Sequence, residues 1–541
     1  MPARARVVSV IHSFVVIVVM GAIVMLPGEP MAAQTVARSL PARGPASTTM
    51  AEPNDLLVHA DSLARTRRYN EAITLLHQYR TLAPDSVQGV VALARTYAMA
   101  GRLAECVTAY ALATQMRPAD FELRIAHATA LAWAGNYDEA VRAFAHTVGG
   151  PAAVERAGQR GLASVAGWRG DHAEALRRWE QLVGSDARDL EAWIGLSNTR
   201  RWSGDARGAL VAAQRATALQ PLNTDAQRAL HVARDVLTPS SDPQILQIHD
   251  SDGNRSQVMT LSARVVTPWP GAVTVYASHR DAEFLAARST AQTLRGVMTS
   301  SVGAGGRVAL RAEVGATRLE GSRSSAEAAA TRNEPIVALG GALRVSPRLT
   351  IGATASRRPF DEVALLIVNG ITTNAVEANA EFRLRGASTL QADAGVTRFE
   401  GGAPNTRQHG TIKVAVAARR WLSVGGTLAH QRNSGTPRDG YFAPARYDLA
   451  EGFARLGHER ETGVMAALEA GLGGQRIAFT PSSSVLTQAT QRLTASLTWR
   501  PTPRLSVSAL GDAGRMASPF TQAAGTYEYL TLGLRARIPL R

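Results

Sequence analysis

The side chains of this 541-residue chain that could do chemistry are arginines, a few aromatics and one short acidic run, and none falls into a catalytic spacing. Asp250-Ser251-Asp252-Gly253-Asn254 begins like a calcium loop, with carboxylates at alternate positions, but lacks the third acidic ligand and the distal glutamate. A hairpin turn is the plainer expectation. His458-Glu459-Arg460 has no second ligand or base within sequence reach. Gly303–Gly306 and Gly471–Gly474 do not open a helix after a strand, as a phosphate cradle must, so turns or bulges are expected there. Lys413 is the only lysine, which leaves no P-loop, and no HExxH or GxSxG segment occurs. Cys106 is the only cysteine, which excludes an internal disulfide, a Cys-based zinc site and a lipidated cysteine near the start. No enzyme, cofactor or metal is expected.

Arginine supplies nearly all the positive charge behind the net +15. A GC-rich genome produces the same bias as selected binding, so charge alone argues no nucleic-acid partner. More informative is where the arginines fall. Arg311, Glu313 and Thr317 interleave with Val308, Leu310, Val314 and Ala316. From Val376 to Leu384, Glu377, Asn379, Glu381 and Arg383 stand opposite Val376, Ala378, Ala380, Phe382 and Leu384. The final stretch sets Arg535 and Arg537 against Leu530, Leu532, Leu534, Ala536, Ile538 and Leu540. Period-two alternation makes strands with two different faces.

About sixteen such stretches follow Gln244. Tight turns are expected at Pro268–Gly271, Ser346–Arg348, Gly386–Ala387, Arg419–Arg420 and Pro501–Arg504. Long connections run through Gly321–Asn333, Arg358–Thr373, Asn433–Arg446, Arg476–Val485 and Met516–Thr526. That rhythm is expected of an outer-membrane β-barrel with periplasmic turns and external loops, its apolar face on lipid and its charged face on a water-filled lumen. Trp269, Trp421 and Trp499 all lie beside short turns, as an interfacial belt requires.

Upstream, an internal repeat of roughly 34 residues runs from about Asn54 to Leu237. Small residues at Ala72, Cys106, Ala140, Ala175 and Ala209 fix its register. Gly101, Gly135, Gly170 and Gly204 precede four of them by five positions, where two antiparallel helices turn. Pro84, Pro118 and Pro221 follow three of them by twelve and end the second helix. The first unit lacks its glycine and the fourth its proline. For Cys106 a small buried packing role is expected. This pattern resembles the tetratricopeptide repeat family over about five units, with Asn223–Val236 as a cap helix. The resemblance implies an interaction module that binds a protein partner along its groove.

The chain opens with Arg4 and Arg6, an apolar run from Val7 to Leu26, then Pro27 and small residues around Ala32 and Ala33. Residues 1–33 are expected to be a secretory signal, with a retained inner-membrane helix as the rival. Residues 34–53 read as a flexible tether, 54–238 as the repeats with their cap, and 244–541 as the barrel. Leu237–Pro243 is the expected linker. The fold class is therefore α + β in two domains: an α-solenoid of tetratricopeptide repeats, then an antiparallel transmembrane β-barrel.

Periplasmic repeats followed by a C-terminal barrel resemble the outer-membrane exopolysaccharide exporters of the cellulose synthase operon protein C type. Gly440–Tyr447 (GYFAPARY) is similar to the GYxSPQxY-type segment of those barrels, and Arg357–Gly370 (RRPFDEVALLIVNG) to their RxPVxDSxLSxxG-type stretch. The barrel also resembles the YaiO family. The resemblance implies a channel for a polysaccharide, seated in outer-membrane lipid, with a periplasmic partner on the repeats. A sliding glycan needs rings to stack on and polar groups to exchange hydrogen bonds. Tyr441, Phe442 and Tyr447, with Arg311, Arg344, Arg383, Arg535 and Arg537, are the candidate path. Loop packing for the aromatics, and pairing of the arginines with Glu313, Glu377 and Glu381, are the competing roles. The loop Arg358–Thr373 contains Val363–Val368, an apolar run that is odd for an exposed loop, and its Asp361, Val363, Leu365, Leu366 and Val368 could fold inward as a constriction. The alternative to a conduit is a non-conducting scaffold, a plugged barrel that only holds the repeats at the membrane.

Overall fold

The structure is a computed structural model that describes residues 53–147, 150–324, 327–384, 387–419, 421–435, 440–457, 462–480, 484–502, 504–517 and 526–540. The expected signal segment, nearly all of the tether, His458-Glu459-Arg460, Gly386 and most of the Met516–Thr526 loop lie outside these residues. No described helix is long and apolar enough to cross a membrane, which says nothing about crossing by strands.

The helical part is a run of helix–turn–helix units: Pro53–Arg65 with Tyr69–Leu82, Val87–Met99 with Leu103–Met116, Phe121–Trp133 with Tyr137–Ala145, Ala152–Trp168 with His172–Ser185, and Leu190–Trp202 with Ala206–Leu219. Thr224–Leu237 follows them. Ala72, Cys106, Ala140, Ala175 and Ala209 are each 0 % exposed, so the small-residue register marks the points of closest helix approach. Burial pushes the Cys106 thiol up from its ordinary range, consistent with a packed and unreactive cysteine. The turn glycines Gly101, Gly135, Gly170 and Gly204 all have positive φ, between 74° and 93°. In the first unit Arg67 takes that conformation instead, at φ 64°, so the missing glycine is replaced by a strained arginine and not by a different turn. The irregular unit is the third: its second helix, Tyr137–Ala145, has nine residues where its counterparts have 14.

The barrel strands are β1 (Ser240–Ser241), β2 (Gln244–Asp250), β3 (Arg255–Val266), β4 (Gly271–Phe284), β5 (Ala287–Val302), β6 (Val308–Ser322), β7 (Ala330–Arg344), β8 (Leu349–Pro359), β9 (Thr372–Arg383), β10 (Thr389–Glu400), β11 (Asn405–Arg419), β12 (Leu422–Asn433), β13 (Arg446–Gly457), β14 (Gly463–Ala478), β15 (Leu486–Thr502), β16 (Leu505–Ala517) and β17 (Thr526–Pro539). Every neighbouring pair is antiparallel, and β17 pairs with β2 through Arg535↔Gln244 to Tyr529↔Asp250, closing a ring of sixteen strands, β2 to β17. Closure removes the exposed edges that an open sheet of this width would carry.

The expected linker is not free. β2 is only seven residues long beside the 12 of β3 and the 14 of β17, so the ends of its neighbours would be left unpaired. Ser240 and Ser241 fill that gap, pairing with Pro539 and Ile538 of β17 and with Arg264 and Ala263 of β3.

Strand parity follows the sequence. In β6, Leu310 and Val314 are 47 % and 68 % exposed on the outside, while Glu313, Thr317 and Leu319 are buried on the inside. Trp269, Trp421 and Trp499 stand exposed at the turn end. The short/long alternation holds at the turn end but not throughout the other. There β4 and β5 are joined by two residues, with Leu285 at φ 54°, and β10 and β11 by 401–404. The 250–254 segment is a hairpin turn in which the Asp250 carboxylate accepts from the backbone N–H groups of Asp252 and Asn254. Gly303–Gly306 is a turn between β5 and β6, whereas Gly471, Gly473 and Gly474 lie inside β14.

Candidate functional site: a charged lumen closed by an inward loop

The connection between β8 and β9 carries the apolar run singled out by sequence, and it folds into the barrel. Ala364–Asn369 forms a short helix, stopped by Gly370 at φ 63°. Ala364, Leu366 and Ile367 are 0–3 % exposed, while Asp361, Val363, Leu365 and Val368 are half-buried. On one side Ala364 packs with Ala282, Phe284 and Ala287, and Ile367 with Ala291 and Leu319, all inward-facing residues of β4–β6. On the other side Leu366 and Ile371 join Phe399, Tyr441 and Ala443, with Phe360 and Val363 against them. The helix thus spans from strands before its own hairpin to strands after it. Only a segment lying across the lumen can do that.

The two motif-like stretches meet at this helix. Tyr441 stacks on Phe399 with centroids 4.3 Å apart, and Phe360 sits 5.9 Å from each. Asn405 Nδ2 donates to Tyr441 Oη at 3.2 Å, and Arg407 lies over the Phe399 ring at 4.9 Å while donating to the Phe442 carbonyl at 2.7 Å. Gly440 has φ 103°, and a Cβ there would come 3.1 Å from Leu365, so a side chain would press on the loop. Tyr441 is 5 % exposed and its rings are consumed by packing. Phe442 and Tyr447 are half-buried, edge to face at 5.3 Å. Polar tethers hold the loop from the wall: Arg280 Nη1 donates to the Glu362 carbonyl at 3.1 Å, and Arg323 Nη2 to Asn369 at 3.1 Å.

Along the wall, Arg311, Arg344, Arg383, Arg535 and Arg537 all point inward by parity, though not into one cluster. Arg311 pairs with Glu313 at 3.0 Å and Arg383 with Glu381 at 3.7 Å. Arg535 and Arg537 approach Asp242, at 3.6 and 3.9 Å, a residue expected to be mere linker. The tightest partner of Glu313 is Arg295 of β5, at 2.6 Å, with Arg358 at 4.0 Å. A second cluster joins Arg492 to Glu451 at 2.9 Å and to Glu469 at 2.7 Å, and Lys413 to Glu469 at 3.5 Å and to the Phe453 ring at 4.4 Å. Gly471 makes room for this network, because a Cβ there would fall 2.6 Å from the Glu451 carboxylate. Arg295, Arg492, Glu451 and Glu469 were readable as inward by alternation. Their pairing depends on cross-strand register, which sequence does not display.

No protein-family profile and no curated protein matches the chain. Among solved structures it is similar to a bacterial polysaccharide outer membrane secretin, at 14% identity over 56% of this chain and 98% of that one, with a TM-score of 0.43. It is also similar to a thermophilic tetratricopeptide protein of Thermus thermophilus, at 15% identity over 34% and 98% of the two chains with a TM-score of 0.28. A third is PilW, a type IV pilus biogenesis factor, at 13% identity over 34% and 91% with a TM-score of 0.28.

Proposed function

We propose that the chain is an outer-membrane conduit for an exopolysaccharide, with its helical repeats in the periplasm gathering the partners that make or modify the polymer. One observation carries the reading. A closed sixteen-strand wall, apolar outside and charged inside, is obstructed by a loop helix and not by a packed core. Barrels of this size enclose water, and a loop is the kind of element that moves. The paired lumenal arginines and carboxylates present alternating charge along the wall, which suits a hydrated polymer that must slide without sticking. The resemblance to exporters of the cellulose synthase operon protein C type agrees: the two stretches that strengthen it are the ones packed together at the loop. The repeats bind protein along their groove, and no step in this reading is catalytic. The test is release of entrapped neutral and uronate oligosaccharides from liposomes holding the purified chain. Size-limited release supports the conduit. Retention of every oligosaccharide, with and without the loop helix, would leave the scaffold.

That second reading has its own support. Leu366, Ile371 and Tyr441 are buried as completely as core residues, so the loop is held firmly.

A further inference from the structure

The row of residues that faces lipid changes character at the loop end of the barrel. On β12 the outward positions run Val424, Leu428, His430, Arg432; on β14 they run Leu472, Gly474, Arg476; on β13 they end in Asp448 and Arg446. Leu428 and Leu472 are 59 % and 68 % exposed, and Arg432 and Arg476 follow them four residues, or about 13 Å of strand, farther along the same face. Arg432 and Arg446 are directly opposite one another in the ladder. Like charges in that position repel and weaken the pair. Asp448 is the one carboxylate among the described residues of this patch, and both its oxygens are taken, by His430 Nδ1 at 2.6 Å and Arg446 Nε at 2.7 Å. Arg398 of β10 stands outward and exposed at the same end, two positions from Glu400 on the same face.

Elsewhere on this rim four outward arginines are matched. Arg288 meets Glu283 at 3.1 Å, Arg357 meets Glu400 at 2.9 Å, Arg515 meets Glu528 at 3.9 Å and Arg318 meets Glu320 at 4.0 Å. On β12–β14 the excess cation is exposed and lies on the same outward face as the apolar belt. We propose that the outer surface around Arg432, Arg446 and Arg476 docks the phosphate groups of an anionic glycolipid in the surrounding leaflet. Its acyl chains would lie on Leu428 and Leu472, and a phosphate between Arg432 and Arg446 would turn a repulsive pair into a bidentate clamp. This rests on the proposed seating of the barrel with its loops outward, but the binding itself does not depend on export.

The experiment follows thermal unfolding of the purified full chain in a neutral detergent, by loss of its compact heat-modifiable band, during titration with diphosphorylated lipid A. Dephosphorylated lipid A and inorganic phosphate form the other arms. The diphosphorylated glycolipid should raise the midpoint where the other two do not. R432Q/R476Q should need about 30-fold more of it, from roughly 1 kcal/mol for each of the two surface arginines at about 1.4 kcal/mol per tenfold, while R288Q should need no more. An equal response to the dephosphorylated lipid, or an undiminished response in the double variant, would overturn the proposal. An equal response to inorganic phosphate would overturn the lipid as the source. If the double variant fails to fold, the contrast between the two lipids on the native chain decides.

Discussion

Leu366→Ala should unlatch the loop helix without unpicking the barrel. Leu366 is 1 % exposed and packs with Ile371, Phe399, Tyr441 and Ala443, so truncation removes buried methyl groups and leaves a cavity. Changes of this kind cost roughly 2–5 kcal/mol. The strand ladders do not pass through this residue, so the cost falls on the inward position of the loop relative to a displaced one. At about 1.4 kcal/mol per tenfold, the balance moves toward displacement by about 30-fold at the low end and more than about 1,000-fold at the high end. Single-channel recording of the purified chain in planar bilayers reads this as a longer open time, and heat-modifiable migration reads the barrel separately. Unchanged gating with an intact barrel would refute the idea that this packing holds the loop. Collapse of the barrel would show instead that the helix is part of the wall's own stability.

Neutralising Arg535 and Arg537 together should shift ion selectivity away from anions, and the shift should shrink at high salt because a wet lumen is screened over roughly 8–10 Å. Loss of stability with unchanged selectivity would mean that their approach to Asp242 is structural only. Arg67→Gly should raise the melting temperature of the repeats by relieving a left-handed arginine worth about 1–2 kcal/mol, whereas Gly101→Ala should lower it by a similar amount. Burial holds His127 below the ordinary histidine value of 6.5. The unfolded chain therefore takes up that proton first, so repeat stability should fall as pH drops below about 6.5, and His127→Gln should flatten that slope in thermal melts at pH 7 and pH 5.5.

The elements that were legible in sequence are those whose signal is local. A fully buried alanine or cysteine every 34 or 35 positions fixed the helical register, and period-two alternation assigned Glu313 and Arg535 inward and Val314 and Leu534 outward. The Leu285 turn was missed because the residue takes positive φ with no glycine or asparagine to announce it. β1 was missed because its cause, a short β2, lies in the lengths of its neighbours. The cluster of Phe360, Phe399 and Tyr441 joins three places far apart in the chain, so Tyr441, one of the three aromatics offered as a glycan path, shares in holding the loop. The arginine patch was hidden by the alternation itself. Parity says which residues face out, but not at what height the lipid ends, so Arg432 and Leu428 share a face and not an environment.

Conductance of the chain lacking Val363–Asn369, compared with the intact chain in planar bilayers, tests the central claim most directly. A loop-obstructed conduit gives small or intermittent currents when intact and a steady, larger conductance once the segment is removed. Silence from both chains, with heat-modifiable migration showing each barrel folded, would contradict it.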